Sequence, residues 1–159
     1  MPTTYETLRV LKLAEDIADS TWKNVTQWDE FAKDVLGKQL IRASDLIGAN
    51  SAESFGRFNF GEKLQFLYFA RGSLFETKYW LKRARTRELM SNPEAQVFFD
   101  QLTDLARQLN AFASGIKTLR ANNSSQSKSL REIAAAYTLP EDFPDALFTD
   151  DDLAWLAAQ

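Results

Sequence analysis

An all-α fold, an antiparallel up-down four-helix bundle with a C-terminal extension of short helices, is predicted by three features of the 159-residue chain. Apolar residues recur at three- and four-residue spacing through four long segments. Gly (6) and Pro (4) are scarce, which leaves few breaks for a turn-rich β architecture. The connections between segments are short, which sets sequential neighbours antiparallel.

The first predicted helix runs from Thr4 to Asn24, with a stripe of Leu8, Leu11, Ala18, Trp22 and Val25 flanked by Val10, Ala14 and Ile17. Thr26 followed by Asp29 resembles a cap for the second, Gln27 to Ser54. Its seam is Leu36, Leu40, Ala43, Ile47 and Asn50, preceded by Phe31 and Val35. Gly37 and Gly48 lie inside it. Each costs about 1 kcal/mol against Ala, and close helix–helix approach is a reason to keep one. After a loop at Phe55 to Phe58, Asn59 caps a third helix, with Glu62 at the capping-box position, that continues to Glu88. Ser91-Asn92-Pro93 is a stop and restart. The fourth helix ends near Arg120 and carries the most regular seam: Phe98, Leu102, Leu105, Leu109, Phe112, Ile116 and Leu119.

Residues 1–120 are therefore read as the bundle and 121–159 as a polar linker and acidic tail. Two short helices are expected in the tail. One, Leu130 to Tyr137, is capped by Ser129. The other is started by Thr149 with Asp152 and carries Leu153, Trp155 and Leu156. Net charge is −3 overall, split as +2 over residues 1–120 and −5 over residues 121–159. That split hints at a basic surface with an acidic partner or mask.

Composition narrows the function. Without Cys there is no disulfide or thiolate chemistry, and without His the commonest general base and metal ligand are missing. No phosphate loop, nucleophile–base motif or Glu-x-x-His metal motif is present, so the reading is a protein without catalytic residues, metal or cofactor. No signal peptide or membrane span is expected, and a Cys-free chain fits the cytoplasm.

The third helix is apolar on two sides. Leu64, Leu67, Tyr68, Leu74, Phe75 and Tyr79 fall on one face, and Phe66, Phe69 and Trp80 roughly opposite. A helix apolar all round is normally buried all round, so either the tail or a second subunit covers the extra face. Phe66, Phe69 and Trp80 are the oligomer-interface candidates.

Polar residues on apolar faces, Glu15, Arg42, Asn50, Glu53, Arg71 and Glu76, are read as a structural network, with Glu15 and Glu53 the expected partners of Arg71. Lys78, Lys82, Arg83, Arg85 and Arg87 form a run with no acid among them. They either complement a helix C-terminus or bind phosphate.

The stretch from Gln39 to Arg57, QLIRASDLIGANSAESFGR, resembles a helix signature of the four-helix bundle proteins encoded in 23S rRNA intervening sequences. The stretch from Phe66 to Glu76, FLYFARGSLFE, is similar to the next helix signature of that family. The likeness spans roughly residues 5–120, and Ser51-Ala52-Glu53 departs from the usual Ile-Ala-Glu. The resemblance implies a homopentamer. It also implies kinship with the accessory variability determinant protein of diversity-generating retroelements, a basic pentamer that binds nucleic acid and a reverse transcriptase. Two functions follow as expectations. One is a nucleic-acid-associated accessory factor acting as an oligomer through basic helix ends on RNA or DNA. The alternative is a protein-binding scaffold or adaptor whose tail is a docking peptide.

Overall fold

The computed structural model describes residues 4–124 and 146–159, with side chains from Arg9 to Asn122 and from Ala146 onward. The described residues are helical: α1 (Thr4–Val25), a short turn α2 (Glu30–Ala32), a π-helical turn (Lys33–Gly37), α3 (Lys38–Gly56), α4 (Phe60–Thr86), α5 (Asn92–Ser124) and α6 (Asp150–Ala157). Helix α1 packs on α3, α3 on α4, α4 on α5 and α5 on α1, so the four long helices close a ring around one core. The expected linker helix from Leu130 to Tyr137 lies outside the described residues.

The core is the set of apolar positions that the spacing places inward. Leu36, Leu40, Ala43 and Ile47 of the second segment are buried, as are Phe98, Leu102, Leu105, Leu109, Phe112 and Ile116 of α5. Leu119 is half-buried. Helices α3 and α4 run antiparallel. Ser54 Oγ donates to the Lys63 carbonyl (2.7 Å), Asn50 Nδ2 to Ser73 Oγ (3.4 Å), and Arg42 faces Glu76 (3.5 Å). Rising numbers in one helix thus meet falling numbers in the other.

Two expectations about helix phase are corrected. The buried face of α1 is Val10, Ala14, Ile17, Thr21 and Val25; Trp22 is 58% exposed, and Leu11 and Ala18 are half-buried. The true face is the flank of the expected stripe, rotated by about a quarter-turn, and Glu15 therefore points to solvent. Phe31 (77% exposed) and Val35 (48%) also face outward. The π-helical turn that holds Val35 is wider than an α-turn and resets the phase between α2 and α3.

The caps follow local chemistry. Asp29, not Thr26, begins the second helical segment, accepting from the Ala32 N–H at 3.0 Å. The Thr26 hydroxyl turns back to the Lys23 carbonyl. Asn59 Oδ1 accepts from the Gly61 and Glu62 N–H groups, so Asn59 is the expected cap, but the Glu62 carboxylate does not return to the Asn59 N–H to close the expected capping box. Ser91 and Glu94 cap each other's backbone N–H at the start of α5. Helix α4 ends without glycine: Glu88 takes φ 60, a left-handed conformation, and the Leu89 N–H reaches the Ala84 carbonyl at 2.9 Å.

Gly37 does mark a close approach. A Cβ there would lie 2.6 Å from Val25 Cγ1, whereas one at Gly72 would meet nothing within 4 Å. Gly37→Ala is therefore expected to destabilise the fold by about 1–3 kcal/mol through overpacking. Gly72→Ala, at an open mid-helix site, should stabilise by about 0.5–1 kcal/mol. Urea denaturation of the two variants checks both signs; a stabilised Gly37→Ala would refute the contact.

Candidate functional site

The basic run and the aromatic face of α4 are split between two environments. Arg71, Phe75, Lys78, Lys82 and Arg85 recur at steps of four, three, four and three, so they form one stripe about 21 Å long. Helix α6 and the turn before it lie on that stripe. Leu147, Phe148 and Leu156 are 2% or less exposed. An eight-residue helix does not persist alone in water, so this burial is what holds α6.

Both ends of α6 are tied. At the start, Thr149 and Asp152 form a capping box, and Arg71 donates to Asp152 Oδ2 at 3.2 Å. Burial alone would raise the Asp152 carboxyl. The Thr149 backbone N–H, the Arg71 guanidinium and the Thr149 hydroxyl together outweigh it and hold that carboxyl below the usual range. Just before, Phe148 exchanges two hydrogen bonds with Asn110 of α5: its N–H donates to Oδ1 (2.6 Å) and its carbonyl accepts from Nδ2 (2.8 Å). Phe75 stacks on Phe148 and Trp155 with ring centroids 5.9 and 5.3 Å away. At the far end, Lys78 Nζ donates to the carbonyls of Leu156 (2.9 Å) and Ala158, a cation on the negative end of a helix.

Lys78 is therefore corrected from a phosphate-binding candidate to a buried anchor. It is 0% exposed, with Nζ 3.4 Å from the Phe99 ring centroid. Burial, reinforced by Lys82 and Arg85 and opposed by Asp100, pushes its ammonium down to about 8. Lys82 sits against Trp155 and so borders the docked helix, whereas Arg85 lies over Phe99 of α5. Arg83 is half-buried and donates to Thr86 Oγ1, and Arg87 is exposed.

The expected polar network separates into local pairs. Arg71 pairs with Asp152, not with Glu15 or Glu53. Glu53 bonds Arg57 within one helix end, and Glu15 lines an acidic groove between α1 and α3 with Asp19 and Asp45. Burial and the Asp19 charge raise the Asp45 carboxyl there. Asn50–Ser73 and Arg42–Glu76 do bridge helices, and Glu76 also accepts from Trp80 Nε1 at 3.2 Å.

The outer face of α3 and α4 stays uncovered. Phe69 is 49% exposed, edge-on to Phe66, and Leu46, one turn from Arg42, is 38% exposed. Phe66 and Trp80 are half-buried. The sequence expects the tail or a second subunit to cover this second face of α4; the described part of the tail does not, and it packs instead on the Phe75 side, leaving Phe66, Phe69 and Trp80 outside it. Among the described residues, no helix is long and apolar enough to cross a membrane, and no group of three or more acidic side chains could hold a metal ion.

The family model of 23S rRNA-intervening sequence proteins matches residues 6–111. The chain belongs to that family. No curated protein matches it. A crystal structure from Bacteroides thetaiotaomicron, a protein of unknown function from the S23 ribosomal protein family, superposes with a TM-score of 0.59 at 20% identity. The match covers 65% of this chain and 97% of that one. At that identity the likeness shows the bundle fold alone. Helix α6 lies beyond the family match.

Lys78 makes stability pH-dependent. Its folded pKa is depressed, so the unfolded chain binds more protons above pH 8, and stability rises with pH there. Between pH 7.5 and 9 the gain should be about 1 kcal/mol, and Lys78→Met should abolish it. Denaturant titrations across that window check the slope. A flat wild-type profile would place the amine in water.

Proposed function

We propose that the protein is a cytoplasmic, non-enzymatic, self-associating bundle that works by binding. Copies join through the outer face of α3 and α4, as the homopentamer that the family resemblance implies. The basic end of α4, multiplied by symmetry, contacts nucleic-acid phosphates as an accessory factor. One observation carries the assembly: Leu46 and Phe69 stay exposed beside half-buried Phe66 and Trp80 after the tail has taken the other side of α4. Such aromatic strips on soluble chains mark interaction surfaces. The paired charges Arg42–Glu76 along the same face would fix the register of a neighbour.

The basic end supports the nucleic-acid reading through Lys82, Arg83, Arg85 and Arg87, without Lys78. A second reading, the protein-binding scaffold, is favoured by a specific observation. The bundle already holds an acidic aromatic helix through Arg71, Asn110 and Lys78.

Light scattering should give a multiple of 18.1 kDa for the wild type, and Leu46→Glu with Phe69→Glu should give the 18.1 kDa monomer. Both sites are exposed and helical, so the double variant keeps its fold. A monomeric wild type would end the assembly reading. Reversal of Arg83, Arg85 and Arg87 to Glu should remove salt-dependent RNA or duplex DNA binding, each lost phosphate contact lowering the salt slope by about one. Binding without salt dependence, or none in the wild type, would leave the scaffold.

A further inference from the structure

The seam between α4 and α5 reads as a receptor, and α6 as its ligand. Arg71, Lys78, Lys82 and Arg85 present four cations along it, and α6 opens with Asp150, Asp151 and Asp152. Each contact answers a particular feature of the segment. Arg71 reads the capping-box carboxylate, Asn110 reads the backbone of Phe148, Phe75 reads the two aromatic rings, and Lys78 reads the terminal carbonyls. The segment is also an appendage, beyond the 6–111 match that defines the family bundle.

We propose that this seam docks the α6 segment of a second copy, so that neighbouring copies exchange tails. The segment of a second copy is chemically identical, so every contact made within one chain is available between two. The two arrangements differ in the entropy of the connection and in the freedom lost when two chains associate, a cost that an already assembled neighbour has met. That connection, residues 125–145, is 21 residues long. Its fully extended length is about 70 Å, well beyond the roughly 40 Å length of α4, so chain length does not confine α6 to its own bundle. Trp155 remains 40% exposed at the edge of the docked helix, and the Leu156 side chain is the plug. Exchange is distinct from assembly through α3 and α4, although an assembled neighbour would supply a seam at high effective concentration.

The test uses full-length chains carrying Leu46→Glu and Phe69→Glu, in which the outer face cannot contribute. One partner is tail-deficient, Phe148→Ala with Trp155→Ala; the other is seam-deficient, Arg71→Ala with Phe75→Ala. Mixed, they should form a heterodimer by light scattering that neither forms alone. A fluorescent peptide of residues 146–159 should bind the tail-deficient chain at least about tenfold tighter than the wild type, whose seam is filled. If either variant is unfolded by circular dichroism, two near-wild-type chains replace them. Gln96→Cys and Ala157→Cys chains, otherwise free of cysteine, are mixed and joined with a short bis-maleimide, since Gln96 Nε2 lies 3.4 Å from the Ala157 carbonyl. A cross-linked heterodimer suppressed by excess peptide supports exchange. Folded chains that neither pair nor bind peptide overturn it, confining α6 to its own bundle. A tail-deficient chain that ignores the peptide but gains salt-dependent RNA binding overturns it too, making the seam a polyanion site. Failure of assembly through α3 and α4 is read separately, from the size of the wild type.

Discussion

Lys78 sits in mid-α4 with no exposure to solvent, and an ammonium taken out of water costs several kcal/mol unless its donors are met. The core supplies the Phe99 ring but no acceptor, so the donors must be met from elsewhere in the chain. The acceptors come from the far C-terminal segment, at the carbonyls of Leu156 and Ala158. These contacts decide where the segment lies. Once the carbonyl end of α6 is on Lys78, Asp152 falls on Arg71 and Phe148 on Asn110. The depressed pKa of Lys78 has a compatible consequence: a neutral amine still donates two N–H groups, one for each carbonyl.

Helix α4 is the element on which this arrangement turns, because it has more apolar and cationic surface than one core consumes. Leu64, Leu67, Leu74 and Leu81 go to the bundle interior. Phe75 and the cations beside it go to α6. What remains, Phe66, Phe69 and Trp80, is not covered by α6: Phe69 is half-exposed, and Phe66 and Trp80 are half-buried. The division follows from angular position alone: three faces of one cylinder meet three different surroundings. The second belongs to a segment that the family match does not reach.

The periodic elements were legible. In α5 and α3 the apolar residues repeat so regularly that one phase fits them, and the expected seams are buried except for half-buried Asn50 and Leu119, with Ala95, Phe99, Ala106 and Ala113 of α5 widening the buried face. In α1 two adjacent stripes of similar apolarity compete. The large residues Leu11 and Trp22 suggested the wrong one, whereas the small Ala14 faces inward, where a Cβ at Gly48 of α3 would lie 3.5 Å from its own. The outward turn of Phe31 and Val35 was not readable either, because a π-helical turn depends on tertiary fit and has no strong sequence mark. Thr149 and Asp152 as a cap were legible because capping is local: donor and acceptor are three residues apart.

By itself, the sequence determined the helical segments, most of their caps, the family of the bundle and the excess surface of α4, since all of these are properties of residues near one another along the chain. Only the tertiary structure decided which charges meet. The separation between Arg71 and Asp152, or between Lys78 and Leu156, is about eighty residues. Neither local propensity nor period constrains a pairing at that distance. A lysine in a basic run looks like surface until the acceptors that bury it arrive from the other end of the chain.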